Sequence, residues 1–244
     1  MPSRRSLLRA AALTVAGAVG ARGFAQDPFA QARERLLREI EHDINATARE
    51  TGVSSLGSRV RRAIATVARE RFVPSHLAEF AYHNRPLPIG EGQTISQPFI
   101  VALMTELLQP KADDVVLEIG TGSGYQAAVL AECVAKVYSI EIIAPLAQRA
   151  RAALNAAGYR NVETRIGDGY QGWPEAAPFD GIVVTAAPDH VPPRLVQQLK
   201  PGGRLVIPVG PRAATQELLV VEAGRDGRAI THRTIAVRFV PLIR

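Results

Sequence analysis

The N-terminal part of the chain, as far as about residue 112, shows apolar positions at helical intervals. Their three- or four-residue spacing predicts helices over three ranges, Asp27–Thr51, Ser58–Arg69 and Pro98–Leu108. Arg71–Pro74 interrupts this pattern. Ala81–Gln97 is rich in proline and glycine and predicts a long loop, which is uncommon and often functional. The pattern therefore predicts an N-terminal helical region with one extended, exposed connection.

From Asp113 the pattern changes, and short β-rich runs alternate with helical ones. The predicted strands are Val115–Ile119, Lys136–Ile140, Val162–Ile166, Gly181–Thr185 and Arg204–Val209. The predicted helices between them are Tyr125–Cys133, Ala144–Ala157 and Pro193–Leu199. Two further strands, Glu217–Glu222 and Thr234–Val240, are joined by a turn at Gly224–Gly227 and are expected to pair antiparallel.

This alternation predicts an α/β fold with a Rossmann-like, doubly wound, mainly parallel sheet. An antiparallel C-terminal strand pair and an N-terminal helical region complete it. Ligands of such sheets bind at the carboxyl ends of the strands. With 244 residues, of which 47% are hydrophobic, the chain is long enough for one domain with a buried core.

The first 25 residues are expected to lie outside this domain. Ser3–Arg9 has a basic pattern that resembles a twin-arginine export signal, with leucine where phenylalanine is common. The apolar run Ala10–Val19 is too short to span a bilayer, and cleavage is expected after Ala25. The alternative is an alanine-rich cytosolic extension. Residues 26–244 then form a single domain, with a helical substrate-side region at 26–112 and a cofactor-binding core at 113–244.

The net charge of +6 does not point to a nucleic-acid partner. Residues 1–25 carry four arginines and no acid, so the remainder has 25 basic and 23 acidic side chains and a net charge of +2. Short mixed clusters such as Arg59–Arg62 are typical of solvated helix faces. We therefore expect no nucleic-acid partner and no stable insertion into a membrane, because no other segment is apolar for long enough.

The strongest chemical motif follows the first strand of the alternating region. Glycines at 120, 122 and 124 allow a sharp turn and a close approach of the backbone to a ligand, and the helix that follows presents its free N–H groups. The spacing G-x-G-x-G differs from the dinucleotide fingerprint, and no phosphate-loop lysine is present. Glu118 immediately before the turn disfavours a pyrophosphate and suits a ligand with a cationic amine.

Two further acids end the next two strands. Glu141 can accept hydrogen bonds from both hydroxyls of a ribose, and Asp168, followed by Gly169, can accept one from an exocyclic adenine amine. Amine, ribose and adenine together describe S-adenosyl-L-methionine. Each acid alone is also explained as an ordinary carboxylate at a strand end, but three in register favour the cofactor.

The sequence resembles the protein-L-isoaspartate O-methyltransferases, a family of class I methyltransferases, over roughly residues 35–244. The segments that carry the resemblance are Arg71–Pro74, Ala81–Tyr82, Pro86–Gly90, Gly92–Pro98, Glu118–Tyr125, Gly167–Gly169, Trp173–Asp180, Val184–Ala187, Gln198–Val206 and Val237–Leu242. The Thr94-Ile95-Ser96 segment and Trp173–Asp180 are more specific than the cofactor motif, which many methyltransferases share.

This resemblance implies a repair enzyme. Isoaspartyl residues arise in ageing proteins through a succinimide, and the family methylates their free α-carboxylate, so that the ester recloses and part of it hydrolyses to normal aspartate. It implies cofactor contacts at the motif residues, namely Glu118, Gly120, Thr121, Gly122, Ser123, Gly124, Glu141, Asp168 and Gly169. It implies isoaspartyl-containing proteins and peptides as partners, and we expect a monomer. The family is mostly cytosolic, whereas the N-terminus here favours the periplasm.

Ser96 is the leading catalytic candidate. By the resemblance it lies in the active site, where its hydroxyl can orient the substrate carboxylate, with Gln93, Thr94 and Ile95 as substrate-binding neighbours. The alternative from the residues alone is that Ser96 caps the helix that starts at Pro98. One departure from the family is Asn84, which stands where an acid is common.

Other chemistries have little support in the sequence. The five histidines show no metal-binding spacing, Cys133 is the only cysteine, and no G-x-S-x-G motif is present, so no metal site is expected. Two alternatives to isoaspartyl repair stay open at this point. One is a related carboxyl methyltransferase that uses the same cofactor with another substrate, and the other is an exported binding protein without catalysis.

Overall fold

A seven-stranded mixed sheet forms the centre of the protein. The computed structural model describes residues 27–212, 214–224 and 228–244. The export signal predicted over residues 1–25 and the tip of the last hairpin lie outside these ranges. The sheet strands are β3 (Val115–Ile119), β4 (Lys136–Glu141), β5 (Val162–Ile166), β6 (Phe179–Val184), β7 (Leu199–Val209), β8 (Gln216–Ala223) and β9 (Ala229–Val237). Their order is β5-β4-β3-β6-β7-β8-β9.

The first five strands of this sheet in chain order are parallel, and β8 and β9 are antiparallel to their neighbours. Strand order reverses between β3 and β6, because the chain winds outward from β3 to β5 and then returns to the other side of β3. Such a reversal opens a crevice at the carboxyl ends of the two central strands. The predicted doubly wound sheet with an antiparallel C-terminal pair is confirmed.

Seven α-helices are described around the sheet. They are α1 (Ala30–Ala46), α2 (Ala48–Thr51), α3 (Ser58–Thr66), α4 (Pro98–Leu108), α5 (Tyr125–Ala131), α6 (Ala144–Ala157) and α7 (Pro193–Gln197). The predicted helix at 27–51 is divided at Thr47, whose hydroxyl bonds back to Asp43 O at 2.9 Å. Thr47 N also donates to Asp43 O, at 3.0 Å, so hydroxyl and amide share this acceptor, a back-bonding that often bends helices.

The apolar side chains form one core on each face of the sheet. Alternation along β3 sends Val116 to the face covered by α1, α3, α4, α5 and α6, and Leu117 to the face covered by α7 and Trp173. Glu118 shares the first face with Val116 and has no exposed surface. A buried carboxyl at this place lies directly beneath the start of α5.

The long loop predicted over Ala81–Gln97 is wrong in part. It contains a two-stranded antiparallel hairpin, β1 (Leu87–Gly90) and β2 (Gln93–Ile95), which pairs Leu87 with Ile95. Arg149 of α6 fixes this hairpin, since it donates to Ile89 O at 3.1 Å and pairs with Glu91 at 3.6 Å. The hairpin thereby lies over the carboxyl edge of the main sheet.

Several element bounds also differ from the predicted ones. The helix at 125 ends at Ala131, before Cys133, and β7 starts at Leu199 because Leu199 pairs with Phe179 ahead of the irregularity in the β6–β7 ladder. The last strand is 229–237 and not 234–240. Most of its side chains are exposed, so backbone pairing with β8 determines its bounds. Within the described residues, no helix has the length and apolar character needed to cross a membrane.

Candidate active site

A cleft lies where the strand order reverses, and its volume is about 760 Å³ when the solvent-filled space at its entrance is included. One wall is the glycine turn after β3, and the opposite wall is β2 with Ser96. The predicted residues that line it are Gln93, Thr94, Ile95, Ser96, Gly120, Thr121, Gly122, Ser123, Glu141 and Gly169. Three predicted residues, Glu118, Gly124 and Asp168, adjoin this lining without being part of it.

The glycine turn requires its glycines for two separate reasons. Gly120 has φ +96°, and a Cβ there would lie 2.5 Å from Thr185 Oγ1. Gly124, with φ +89°, precedes the first turn of α5 and would press a Cβ against Leu154 at 3.2 Å. A Cβ at Gly122 would make only ordinary contacts, with Ile89 at 3.6 Å and Gly120 O at 3.8 Å, and Gly122 lines the cleft. The turn is therefore packed from behind and open in front.

Glu141 ends β4 inside the cleft and is 6% exposed. Its Oε2 accepts from Gly122 N at 2.8 Å and its Oε1 from Ile143 N at 2.9 Å. A carboxylate has about four acceptor positions, so both oxygens retain lone pairs for further donors. Glu141 thus fixes the glycine turn and still presents acceptors to a ligand.

Glu118 lies beneath the cleft. Its Oε2 accepts from the Ser139 hydroxyl, which is 2.5 Å from the Thr121 hydroxyl, and Thr121 lines the cleft. Its Oε1 is buried without a hydrogen-bond partner among the described residues. Burial raises the pKa of Glu118 to about 8, the Glu141 carboxylate adds to the rise, and the Ser139 hydrogen bond opposes it. Glu118 is thus connected to the cleft through two hydroxyls.

Asp168 sits between two cleft-lining glycines but turns its side chain to its own backbone. Its Oδ1 accepts from Tyr170 N at 2.9 Å and its Oδ2 from Gln171 Nε2 at 3.1 Å. It caps the short 3-10 turn Gly169–Gln171. Gly169 must be glycine, since a Cβ would lie 2.4 Å from Ile119. An adenine contact of Asp168 stays a prediction.

Ser96 lies between β2 and α4, and it is not the cap of α4. The N-cap is Gln97, which makes no side-chain cap bond, and the acceptor for Phe99 N is Asn84 Oδ1 at 3.0 Å. Among the described residues the Ser96 hydroxyl has no hydrogen bond. The capping alternative for Ser96 is therefore wrong, and its hydroxyl is available to a ligand in the cleft.

Asn84, the departure from the family pattern, joins two helices. Besides accepting from Phe99 N it donates from Nδ2 to Asp43 Oδ2 of α1 at 2.8 Å. An amide can accept and donate at once, whereas an ionised acid can only accept. Asn84 therefore matches Asp43 in this chain.

Sequence reasoning missed part of the cleft wall. Thr185 holds the turn by donating to Gly120 O at 2.7 Å, and residues 240–243 close the cleft beside Ala186. Leu242 N donates a hydrogen bond to Ala187 O at 2.9 Å. The signal for Thr185 was its place at the end of a predicted parallel strand. Residues 240–243 are missed because the last strand was predicted to run to Val240.

The described residues contain no group of three or more histidine, cysteine, aspartate or glutamate side chains arranged to hold a metal ion. Cys133, the free thiol, is buried in the core, and burial raises its pKa to about 12. A thiol in that state is a poor nucleophile. The polar groups that line the cleft are hydroxyls, the side-chain amides of Gln93 and Gln126, the Glu141 carboxylate and backbone groups.

Comparison with known proteins finds one family with this sequence pattern. A family model described as protein-L-isoaspartate(D-aspartate) O-methyltransferase matches residues 41–244. Protein-L-isoaspartate O-methyltransferase 2 of Syntrophobacter fumaroxidans is 55% identical over 230 residues, which are 94% of this chain and 92% of the relative. Protein-L-isoaspartate O-methyltransferase 1 of Nitrosospira multiformis is 60% identical over 210 residues, 86% of each chain.

Solved structures give the same fold. One protein-L-isoaspartate O-methyltransferase superposes with a TM-score of 0.75 and 29% identity, over 86% of this chain and 65% of the other. A second, from Plasmodium falciparum in complex with S-adenosyl-L-homocysteine, superposes with a TM-score of 0.71 and 23% identity, over 89% of this chain and 99% of the other. The second likeness concerns the fold alone.

Proposed function

The chain belongs to the protein-L-isoaspartate(D-aspartate) O-methyltransferase family, and from this we propose which residues carry out its chemistry. It is a protein repair methyltransferase that uses S-adenosyl-L-methionine and acts on the α-carboxylate of L-isoaspartyl residues. The cleft between the glycine turn and β2 is proposed as the place of transfer. The two walls would hold the two reactants.

The residues of the glycine-turn wall fit the cofactor. Glu141 offers free lone pairs at a strand end, which suits the two hydroxyls of a ribose. Gly122 lines the cleft and carries no side chain, so an amino-acid moiety can approach its backbone closely. Glu118 would act from beneath, by holding Thr121 through Ser139 and by placing a carboxyl close to a cationic amine.

The opposite wall is proposed to hold the substrate carboxylate. Ser96 has an unengaged hydroxyl, and Thr94 is exposed beside it at the cleft. A hydroxyl that donates to one carboxylate oxygen leaves the other free and fixes its direction. Gln93 and Ile95 would contribute the polar rim and the apolar floor of this wall.

The chemistry needs alignment more than activation. When bound, S-adenosyl-L-methionine supplies an electrophilic methyl group on a positively charged sulfur. The carboxylate is itself a nucleophile, so the bond to its oxygen can form as the sulfur–carbon bond breaks, and a neutral thioether leaves. Holding the two groups in line can contribute on the order of 7–11 kcal/mol in favourable systems. The residues of both walls are therefore assigned to binding and orientation.

One observation carries this assignment. The free Ser96 hydroxyl and the glycine turn with Glu141 line the same cleft, although they come from elements separated in the chain. The test is transfer of a labelled methyl group from the cofactor to a synthetic isoaspartyl peptide, with the matched aspartyl peptide as control. We expect label on the isoaspartyl peptide alone, and we expect alkali to release it as methanol, because the product is an ester.

Two results would contradict the proposal. Label that alkali does not release would indicate transfer to nitrogen or sulfur. Equal labelling of both peptides would place the methyl group on an ordinary carboxylate and would assign the chain to a different carboxyl methyltransferase.

We also propose that residues 1–25 are a twin-arginine signal and that the mature enzyme works in the periplasm. The support is the sequence: paired arginines, a short apolar run and small residues before position 26. Twin-arginine export carries folded proteins, so a cofactor bound in the cytoplasm can cross with the enzyme. Continued turnover outside would require a supply of the cofactor there.

A further inference from the structure

Arg69 is the largest charged side chain that the described core encloses completely. It has no exposed surface, and its guanidinium lies 4.6 Å from the ring centroid of Tyr125. Its Nε donates to Ala81 O at 2.9 Å, and its Nη2 donates to Ser96 O at 2.8 Å. One side chain therefore connects the segment before the hairpin to the residue proposed to orient the substrate.

The charge of Arg69 is not balanced by an acid. Within the part of the chain that the structure describes, no carboxylate pairs with it, and its Nη1 has no hydrogen-bond partner. Burial lowers the pKa of Arg69 to about 10, the adjacent Tyr125 hydroxyl opposes this fall, and the guanidinium is still charged at neutral pH. An enclosed charge without a counter-charge is costly, so a ligand that brings a negative charge close to it would offset part of this cost.

Arg33 provides a contrast on the same face of the protein. It also contacts a tyrosine, with hydrogen bonds to the Tyr82 hydroxyl at 3.1 and 2.9 Å and a ring contact at 5.3 Å. Unlike Arg69, it forms an ion pair with Asp27 at 3.0 Å and lies near the Glu70 carboxylate, which Tyr82 contacts. An arginine that packs on a tyrosine ring is thus paired with an acid at Arg33, whereas Arg69 lacks such an acid among the described residues.

The position of Arg69 indicates what completes it. Both Ser96 and Tyr125, its two contacts on that side, line the cleft. A negative charge bound in the cleft beside Ser96 would be separated from the Arg69 guanidinium by Ser96. The surroundings have a low dielectric constant, so the attraction between the two charges would be strong. A neutral ester at the same place would gain nothing from it.

We propose that Arg69 is a positioning residue for the substrate: it holds Ser96 in place and provides the buried positive charge that favours an ionised carboxylate over the ester product. This inference rests on the proposed function. Arg69 then favours binding of the carboxylate substrate. It also favours release of the ester product, because methylation removes the negative charge that Arg69 attracts.

The test measures peptide binding to the enzyme saturated with S-adenosyl-L-homocysteine. An isoaspartyl peptide and its α-methyl ester are titrated separately, and the ratio of the two dissociation constants is the readout. For the wild type we expect the acid to bind roughly tenfold or more tightly than the ester. Arg69→Met, which keeps an unbranched apolar chain but removes the charge, should bring the ratio close to one.

Two further variants separate charge from geometry. Arg69→Lys keeps the charge but cannot reach Ala81 O and Ser96 O together, so it should keep most of the binding ratio and lose kcat. Arg69→Gln retains a donor without charge and should lose the ratio, and it reports if Arg69→Met does not fold. Arg33→Met is the matched control and should keep the wild-type ratio, because the charge it removes is paired.

The inference is overturned if folded Arg69→Met or Arg69→Gln discriminates acid from ester as the wild type does. It is overturned equally if Arg33→Met loses the ratio to the same extent, since the effect would then be one of general packing. Failure of the wild type to methylate the isoaspartyl peptide would instead contradict the proposed function, and the labelled-transfer assay detects that separately.

Discussion

Hydrogen bonds of the surrounding backbone fix the position of the Ser96 hydroxyl. Its backbone carbonyl is held by Arg69, and the amide of Phe99, three residues on, is satisfied by Asn84. The neighbouring backbone is thus fixed while the hydroxyl stays free at the cleft. Because the Ser96 side chain makes none of these hydrogen bonds, we expect that it can be replaced with little change in the fold.

Replacement of Ser96 by alanine should therefore slow methyl transfer far more than it weakens cofactor binding. We expect kcat for an isoaspartyl peptide to fall on the order of 10- to 100-fold, because the carboxylate loses its orienting donor. Steady-state kinetics measure this, and calorimetric binding of S-adenosyl-L-homocysteine should change less than about twofold. Gln97→Ala is the control, since Gln97 makes no side-chain cap bond. Equal losses of rate and cofactor binding would mean that Ser96 supports the fold.

Glu118 should make the ligand-free protein less stable as pH rises. Its folded pKa of about 8 lies above the usual value of 4.5, so the folded state holds a proton that the unfolded state has released between these values. Stability is then lost from about pH 4.5 to about pH 8. Glu118→Gln removes this effect and should be on the order of 1–3 kcal/mol more stable than the wild type at pH 9. Denaturant unfolding at pH 5 and pH 9 measures the difference, and parallel pH profiles would contradict it.

The sequence indicated the strand-end acids but not how each one acts. Glu141 is predicted at the cleft and lies there, because a residue at the carboxyl end of an inner parallel strand must face the crevice. The direction of a side chain one residue earlier depends on strand alternation, which turns Glu118 toward α5. The cap formed by Asp168 depends on the 3-10 turn that follows it. Neither the direction nor the turn can be read from the positions of acids alone.

At the scale of elements, Asn84 joins α4 to α1. It accepts from the first turn of α4 and donates to Asp43 near the end of α1. The hairpin β1–β2 lies between Asn84 and α4 in the chain, so this junction fixes the place where the hairpin returns to the core. Asn84 and Asp43 can therefore be varied as a pair.

Asn84→Asp should destabilise the protein by about 1–2 kcal/mol, because two carboxylates would then face each other across 2.8 Å. Adding Asp43→Asn to it should restore most of the loss, since the donor and acceptor then exchange places. Thermal unfolding of both single variants and the double variant gives the coupling energy. Additive losses would show that the two side chains are independent.

The hairpin itself was missed by sequence reasoning for an identifiable reason. Pro88 and Gly90 fall within β1, and both residue types are typical of loops. Proline is tolerated there because β1 has one partner strand and an open edge. The alternation of buried Leu87 and Ile89 with exposed neighbours was present in the sequence. Over four residues it was too short to outweigh the proline and glycine signal.

At the scale of the whole molecule, the proposal of export rests on the paired arginines Arg4 and Arg5. Replacement of Arg4 and Arg5 by lysine should keep the charge but prevent recognition by a twin-arginine pathway. We expect the wild type to be shortened by about 25 residues and recovered from the periplasm, and the variant to accumulate at full length in the cytoplasm. Fractionation with mass spectrometry measures both. Unprocessed wild-type protein in the cytoplasm would favour the alternative of a cytosolic extension.

Residues 240–243 close the cleft against the turn after β3, and this has a consequence for synthesis. The glycine turn leaves the ribosome roughly 120 residues before them, which at 5–20 residues per second is on the order of 10 s. During that interval the nascent chain has the glycine turn and β2 but lacks the segment that closes the cleft. We therefore expect tight binding of the cofactor only after the closing segment is translated, so that a cleft with cofactor bound belongs to a completed core.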